Sequence, residues 1–122
     1  MKNLMIILVT ALVLTFASCH KQKAEPVPPA AACDTIQVSF ANDIQPIFDA
    51  HCNNAGCHDA ITQAHGNILE TYGQISAQAE NSYRAMNHEP GYTPMPIGNP
   101  TKLPDSLLNK MNCWIEDGKP NN

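Results

Sequence analysis

Cys52-Asn53-Asn54-Ala55-Gly56-Cys57-His58 places two thiols and an imidazole within seven residues. Cys followed directly by His after an earlier Cys is the ending of the haem c attachment motif, C-x-x-C-H, in which both thiols bond to the haem vinyl groups and the His ligates iron. Here four residues separate the thiols instead of two. The chemistry asks that both sulfurs reach their vinyls while the ring stands under the iron, and a longer loop meets that demand by bulging outward. Gly56 eases the backbone through the turn. On this reading Cys52 and Cys57 are thioether anchors and His58 is the proximal ligand. Two other readings stay open on these residues alone. His51-Cys52 and Cys57-His58 are four good zinc ligands, although adjacent His-Cys pairs splay their side chains apart. Cys52 and Cys57 could also close a short disulfide loop, with His58 incidental.

A second ligand type lies downstream, in Pro90-Gly91-Tyr92-Thr93-Pro94-Met95-Pro96-Ile97-Gly98-Asn99-Pro100. Prolines on both sides of Met95 remove backbone freedom, which suits a thioether meant to act as a fixed sixth ligand. A Met/His pair raises the haem potential relative to bis-His ligation. The plain alternative is that Met95 packs a loop. His88 ranks second as a distal ligand, and His65 is a further option. Both read more simply as exposed polar residues. Met86 and Met111 fall on helical stripes and read as core.

Helices must position these groups. Phe40, Ile44, Ile47 and Phe48 recur at helical spacing. With Pro46 in the first turn, that helix is expected to begin near Asp43 as N-cap and to run into the Cys52 loop. Leu69, Tyr72 and Ile75 mark a second stripe, with Thr71 as a cap. Asn81 or Ser82 is expected to open a short helix through Met86. Pro104 suits a first helical turn, and Leu107, Leu108, Met111, Trp114 and Ile115 form an apolar face that Gly118 ends. Cys113 falls off that stripe. Ile36-Gln37-Val38 is the one candidate strand. The sequence predicts a mostly α domain without internal repeats.

The N-terminus reads as an export signal over residues 1–18. Lys2 supplies the positive region, and Leu4 to Phe16 is an apolar run too short for the ~20 residues that span a bilayer. Phe16-Ala17-Ser18-Cys19 resembles a lipobox with Cys19 as the acylated residue, the alternative being an ordinary signal peptide. Residues 19–32 hold Pro26, Pro28 and Pro29 among polar residues and read as an extended tether. Residues 33–122 then form the folded domain, small enough to benefit from a cofactor or a disulfide. Lys and Arg number 7 against 11 Asp and Glu, a net charge of −4. Losing the signal removes Lys2 and no acid, so the exported form is one charge more negative. That balance excludes nucleic acid, which needs a basic face, and permits a basic protein partner. Five cysteines suit an exported protein. With Cys19 acylated and Cys52 and Cys57 on haem, Cys33 and Cys113 remain to pair as a disulfide.

Taken together, Val38-Ser39-Phe40, Asp43 to Phe48, the Cys52…Gly56-Cys57-His58 loop, Leu69…Tyr72, Met95-Pro96 and Trp114-Ile115…Gly118 resemble the class I cytochrome c fold. The pattern is similar to the small cytochrome-c-like domains of secreted lipoproteins in Bacteroidetes-type bacteria, and it covers nearly all of residues 33–122. The widened Cys-x4-Cys-His spacing departs from the common family motif. The resemblance implies one covalent haem, His58 proximal, Met95 distal, and first and last helices crossing beside the haem. It also brings Cys33 and Cys113 close together. In that group acidic residues after the lipidated Cys favour surface export, whereas His20-Lys21-Gln22-Lys23 follows here, implying an anchor that faces the periplasm.

The expectation is a membrane-tethered one-electron carrier with protein redox partners, not an enzyme. The chain has no Gly-rich phosphate loop, no nucleophile–base pair, and one haem motif where a di-haem peroxidase needs two. A haem-based sensor with an open sixth position is one alternative. A non-haem lipoprotein module held by disulfides or zinc is the other.

Overall fold

The computed structural model describes residues 33–122. The export signal, Cys19 and the tether of residues 19–32 lie outside the described residues. The fold is mostly α: four α-helices, α1 (Gln45–His51), α2 (Tyr72–Ala77), α3 (Ala79–Met86) and α4 (Asp105–Glu116), joined by turns and irregular loops. A single turn of 3₁₀ helix stands at Cys33–Thr35, a tight turn with His65 and Gly66 at positive φ at Ala64–Gly66, and a π-helical turn, Phe40–Ile44, leads into α1. Ile36-Gln37-Val38 is not a strand, and among the described residues there is none. Val38 is nonetheless buried, so its apolar character reflects burial without a sheet.

The first helical segment starts earlier than its sequence suggests. Ser39, not Asp43, is the N-cap, its hydroxyl accepting from Asn42 N at 3.3 Å. Asp43 Oδ2 accepts from Ser39 N at 3.0 Å, so the carboxylate supports the cap from inside the turn. Pro46 supplies the reason for the wide turn. It has no N–H to close the usual bond to Asn42, and the register just before it widens to Ile44 N–Ser39 O and Gln45 N–Phe40 O. Phe40, Ile44, Ile47 and Phe48 are all buried, as their spacing requires.

Thr71 caps α2 through a capping box, with Gln74 Oε1 accepting Thr71 N at 2.9 Å. α3 begins at Ala79, ahead of Asn81 and Ser82. Gln78 ends α2 and starts α3 without a side-chain cap. Ala79 is fully buried, so packing, not a polar cap, starts this helix. Pro104 directly precedes α4. At its end Gly118 takes φ +81°, Gly118 N bonds Ile115 O, and Lys119 N bonds Trp114 O. This is a Schellman ending, which needs the left-handed conformation that glycine adopts freely.

α4 packs on α3 and on the Phe40–Ile44 turn. Trp114 is fully buried and donates Nε1–H to Pro120 O at 2.9 Å. Its ring lies 5.7 Å from Phe40, which meets Tyr72 edge-on at 5.1 Å. One aromatic cluster therefore ties the first turn, α2 and α4 together, and burying a ring such as Phe40 contributes about 1.5–3 kcal/mol. Tyr72 Oη closes the cluster by donating to Lys119 O. The last residue reaches back to the first helical turn: Asn122 Oδ1 accepts Phe40 N and Asn122 O accepts Ala41 N. These are N–H groups that a helix start leaves without partners of its own.

Cys33 and Cys113 are joined by a disulfide with Cα atoms 5.1 Å apart. Cys113 lies off the apolar stripe of α4 in sequence, yet it is 3% exposed. The N-terminal segment that carries Cys33 covers it, a contact that helical periodicity does not contain.

Candidate cofactor site

The Cys52–His58 loop leaves the end of α1 and folds back on itself. Cys52 N bonds Phe48 O, Cys57 N bonds Asn54 O, and His58 N returns to Cys52 O at 3.1 Å. Gly56 makes the return with φ +89°, a region that residues with a Cβ seldom enter. The longer spacing is thus absorbed as a closed bulge. Leu69 N bonds His58 O and Ala64 N bonds Cys57 O, which fastens the loop to the segment that follows.

Cys52, Cys57 and His58 line one cavity of about 410 Å³, together with Met95. That volume falls within the range of small-molecule pockets, about 300–1,000 Å³. The same cavity is lined by Leu69, Ala85, Met86, Pro96 and Ile97, and by the polar Asn67, Gln78, Asn81, Ser82, Tyr92 and Thr93. No Asp, Glu, Lys or Arg contributes to it. Four parts of the chain converge here: the Cys loop, the stretch from Ala64 to Leu69, the inner face of α3, and the proline-rich loop.

His58 Nδ1 lies 3.2 Å from Asn67 O. A carbonyl only accepts, so the neutral ring carries its hydrogen on Nδ1 and keeps the Nε2 lone pair for an electrophile. A backbone acceptor on the far nitrogen is the arrangement that orients a metal-binding imidazole. Cys52 is buried and Cys57 exposed, and both are free thiols. Burial, followed by the neighbouring Cys57, pushes the Cys52 thiol up to about 12, so it stays protonated at neutral pH. Among the described residues no three His, Cys, Asp or Glu side chains converge on one point as a metal cluster. The four sequence candidates are spread around the walls of a cavity. An extended group with thiol-reactive edges and a central metal fits that donor set.

Met95 is half-buried in its loop. Its N–H bonds Ala85 O at 3.1 Å, and the Met95–Pro96 peptide is cis. Met86 is buried, as its helical position suggests, but it also lines the cavity, making it a second thioether at the site. Met111 is core, fully buried and away from the cavity. His65 is exposed and lines the cavity. His88 is half-buried, not exposed: its Nε2 is shielded with no hydrogen-bond partner, and the ring does not line the cavity.

Two contributors escape the sequence reading. Asn67 acts through its main-chain carbonyl, which leaves no trace in residue type. Tyr92 stands three positions before Met95 and was legible only as an aromatic in a loop. Among the described residues no helix is long and apolar enough to cross a membrane. No family model, curated protein or solved structure matches the chain.

Proposed function

We propose that residues 33–122 hold one covalent haem c and serve as a one-electron carrier, tethered to a membrane through Cys19. One observation carries this reading: Cys52, Cys57, His58 and Met95 line the same cavity, with His58 turned so that Nε2 is the free donor. Cys52 and Cys57 would anchor the group as thioethers, and His58 Nε2 and Met95 Sδ would supply the donors for its iron. When bound, haem c supplies one-electron exchange between ferrous and ferric iron.

The chain's own residues do the rest. Asn67 O fixes the His58 ring so that its orientation is the same in both redox states. Leu69 and Met86 keep water from the inner wall, lowering the local dielectric around the site. Pro94 and Pro96 restrict the Met95 loop, so less entropy is lost when the thioether binds. With the His58 ring held by Asn67 O and the Met95 loop by Ala85 O, both donors would need little rearrangement to hold the group. The tether would let the domain move between a protein donor and a protein acceptor, and the acidic charge suits basic partners.

The test is expression of the full chain with a cytochrome c maturation system, followed by intact mass, acid-acetone extraction and absorbance. We expect one haem added per chain, colour retained by the protein, and a six-coordinate low-spin spectrum. Colour passing into the organic phase would exclude thioether attachment. A high-spin spectrum would favour a ligand-binding haem, and absence of a Soret band a non-haem module.

A further inference from the structure

Arg84 lies on α3 beside the cavity wall but does not line the cavity. Its Nη1 donates to Tyr92 Oη at 2.9 Å, and its guanidinium carbon stands 5.5 Å from the centre of the Tyr92 ring. One side chain thus gives Tyr92 both a charge-assisted hydrogen bond and a cation–π contact. Tyr92 itself faces the cavity, three residues before Met95.

The pairing is specific in charge terms. Among the described residues every lysine is ion-paired: Lys102 with Asp105, Lys110 with Asp43, and Lys119 with Glu80. Arg84 is the one described cation directed to an aromatic ring. Glu80, one helical turn before it, is the usual partner for an arginine at that spacing; here Glu80 Oε1 accepts from Lys119 at 2.8 Å, and Arg84 acts on the Glu80 carboxylate only as a lesser charge, with its hydrogen bond on Tyr92. α3 therefore holds the proline loop at two adjacent positions, Ala85 O on Met95 N and Arg84 on Tyr92.

We propose that Arg84 is a positioning residue: acting through Tyr92, it holds the Met95 loop on α3 and keeps the sixth coordination position closed to small exogenous ligands. The proposal rests on the haem reading above and adds what separates a closed electron carrier from an open ligand binder. Loosening the clamp raises the fraction of molecules with Met95 withdrawn. The apparent affinity for an exogenous ligand rises in proportion to that fraction.

The experiment uses the full-length holoprotein and compares wild type with Arg84→Gln and Tyr92→Phe. Imidazole binding to the ferric form and carbon monoxide binding to the ferrous form are titrated, alongside the Met–iron charge-transfer band and the far-UV melting curve. Losing one charged hydrogen bond and one cation–π contact predicts about tenfold tighter imidazole binding in Arg84→Gln. Tyr92→Phe keeps a ring under the cation and should give a smaller gain, about threefold. The charge-transfer band should weaken in the same order, and the melting midpoint should fall by about 10 °C or less, the cost of those two contacts in a domain of this size. Unchanged affinities with an intact band in both variants would overturn the proposal and leave Met95 ligation standing. A wild type that lacks the band and binds imidazole as tightly as the variants would overturn Met95 ligation, and this proposal with it.

Discussion

Removing the Cys33–Cys113 bridge perturbs the domain at one known point. The disulfide joins positions 80 apart in sequence, and the chain-entropy model assigns a loop of that length about 4.5 kcal/mol. A domain of this size has about 5–13 kcal/mol of total stability by the per-residue average. Losing the bridge therefore removes a third or more of it. The double replacement Cys33→Ser and Cys113→Ala avoids leaving a buried thiol free to mispair with Cys52. It adds a small packing loss at Cys113, which is 3% exposed. With a urea dependence near ~1.5 kcal/mol per molar, the unfolding midpoint should fall by about 3 M. Far-UV ellipticity against urea measures it, and non-reducing peptide mapping identifies the bridge. Neither cysteine lines the cavity, so at zero urea the absorbance spectrum of the loaded variant should match wild type. A midpoint shift below about 0.5 M, or both cysteines freely alkylated in protein from an oxidising compartment, would refute the reasoning.

Met95→Ala should abolish the Met–iron charge-transfer band of the ferric protein, whereas Met86→Ala should keep it and cost about 2–5 kcal/mol of stability as a core deletion. The reverse spectral result would make Met86 the ligand, which its place on the cavity wall allows. Asp43 is held below its ordinary value of 3.8, first by the Lys110 hydrogen bond and then by Ser39 N–H. Its contribution is complete above that ordinary value and is lost as pH falls through the lower folded-state value. Asp43→Asn should therefore cost about 1 kcal/mol or less at neutral pH and flatten the acid limb of a stability–pH curve; an unchanged acid limb would contradict this. Cys19→Ser should move the protein from the membrane to the soluble fraction, and unchanged retention would remove the lipid anchor from the reading.

The first and last helices were legible because each buries a stripe set by local spacing, Phe40 to Phe48 and Leu108 to Trp114, whereas Leu69 of the second stripe lies before the Thr71 cap, outside α2. The reactive residues were legible for a similar reason. Two cysteines and a histidine within seven positions, and a methionine between prolines, carry their chemistry in residue type and spacing. Helix starts were less legible. Ser39 replaces Asp43 because Pro46 withdraws a donor and shifts the register, and α3 begins at Ala79 because burial substitutes for a cap. What only the tertiary structure decided rests on contacts between distant segments. The Cys113 side chain is buried by a strip of chain 80 positions away. The His58 ring is oriented by the carbonyl of Asn67, a group every residue possesses. Met95 and Met86 both line the cavity because the proline loop is fastened to α3 through Met95 N–H and Ala85 O, whereas His88 does not line it. Local sequence sets which faces are apolar and which atoms can react. Long-range packing sets which of those atoms meet.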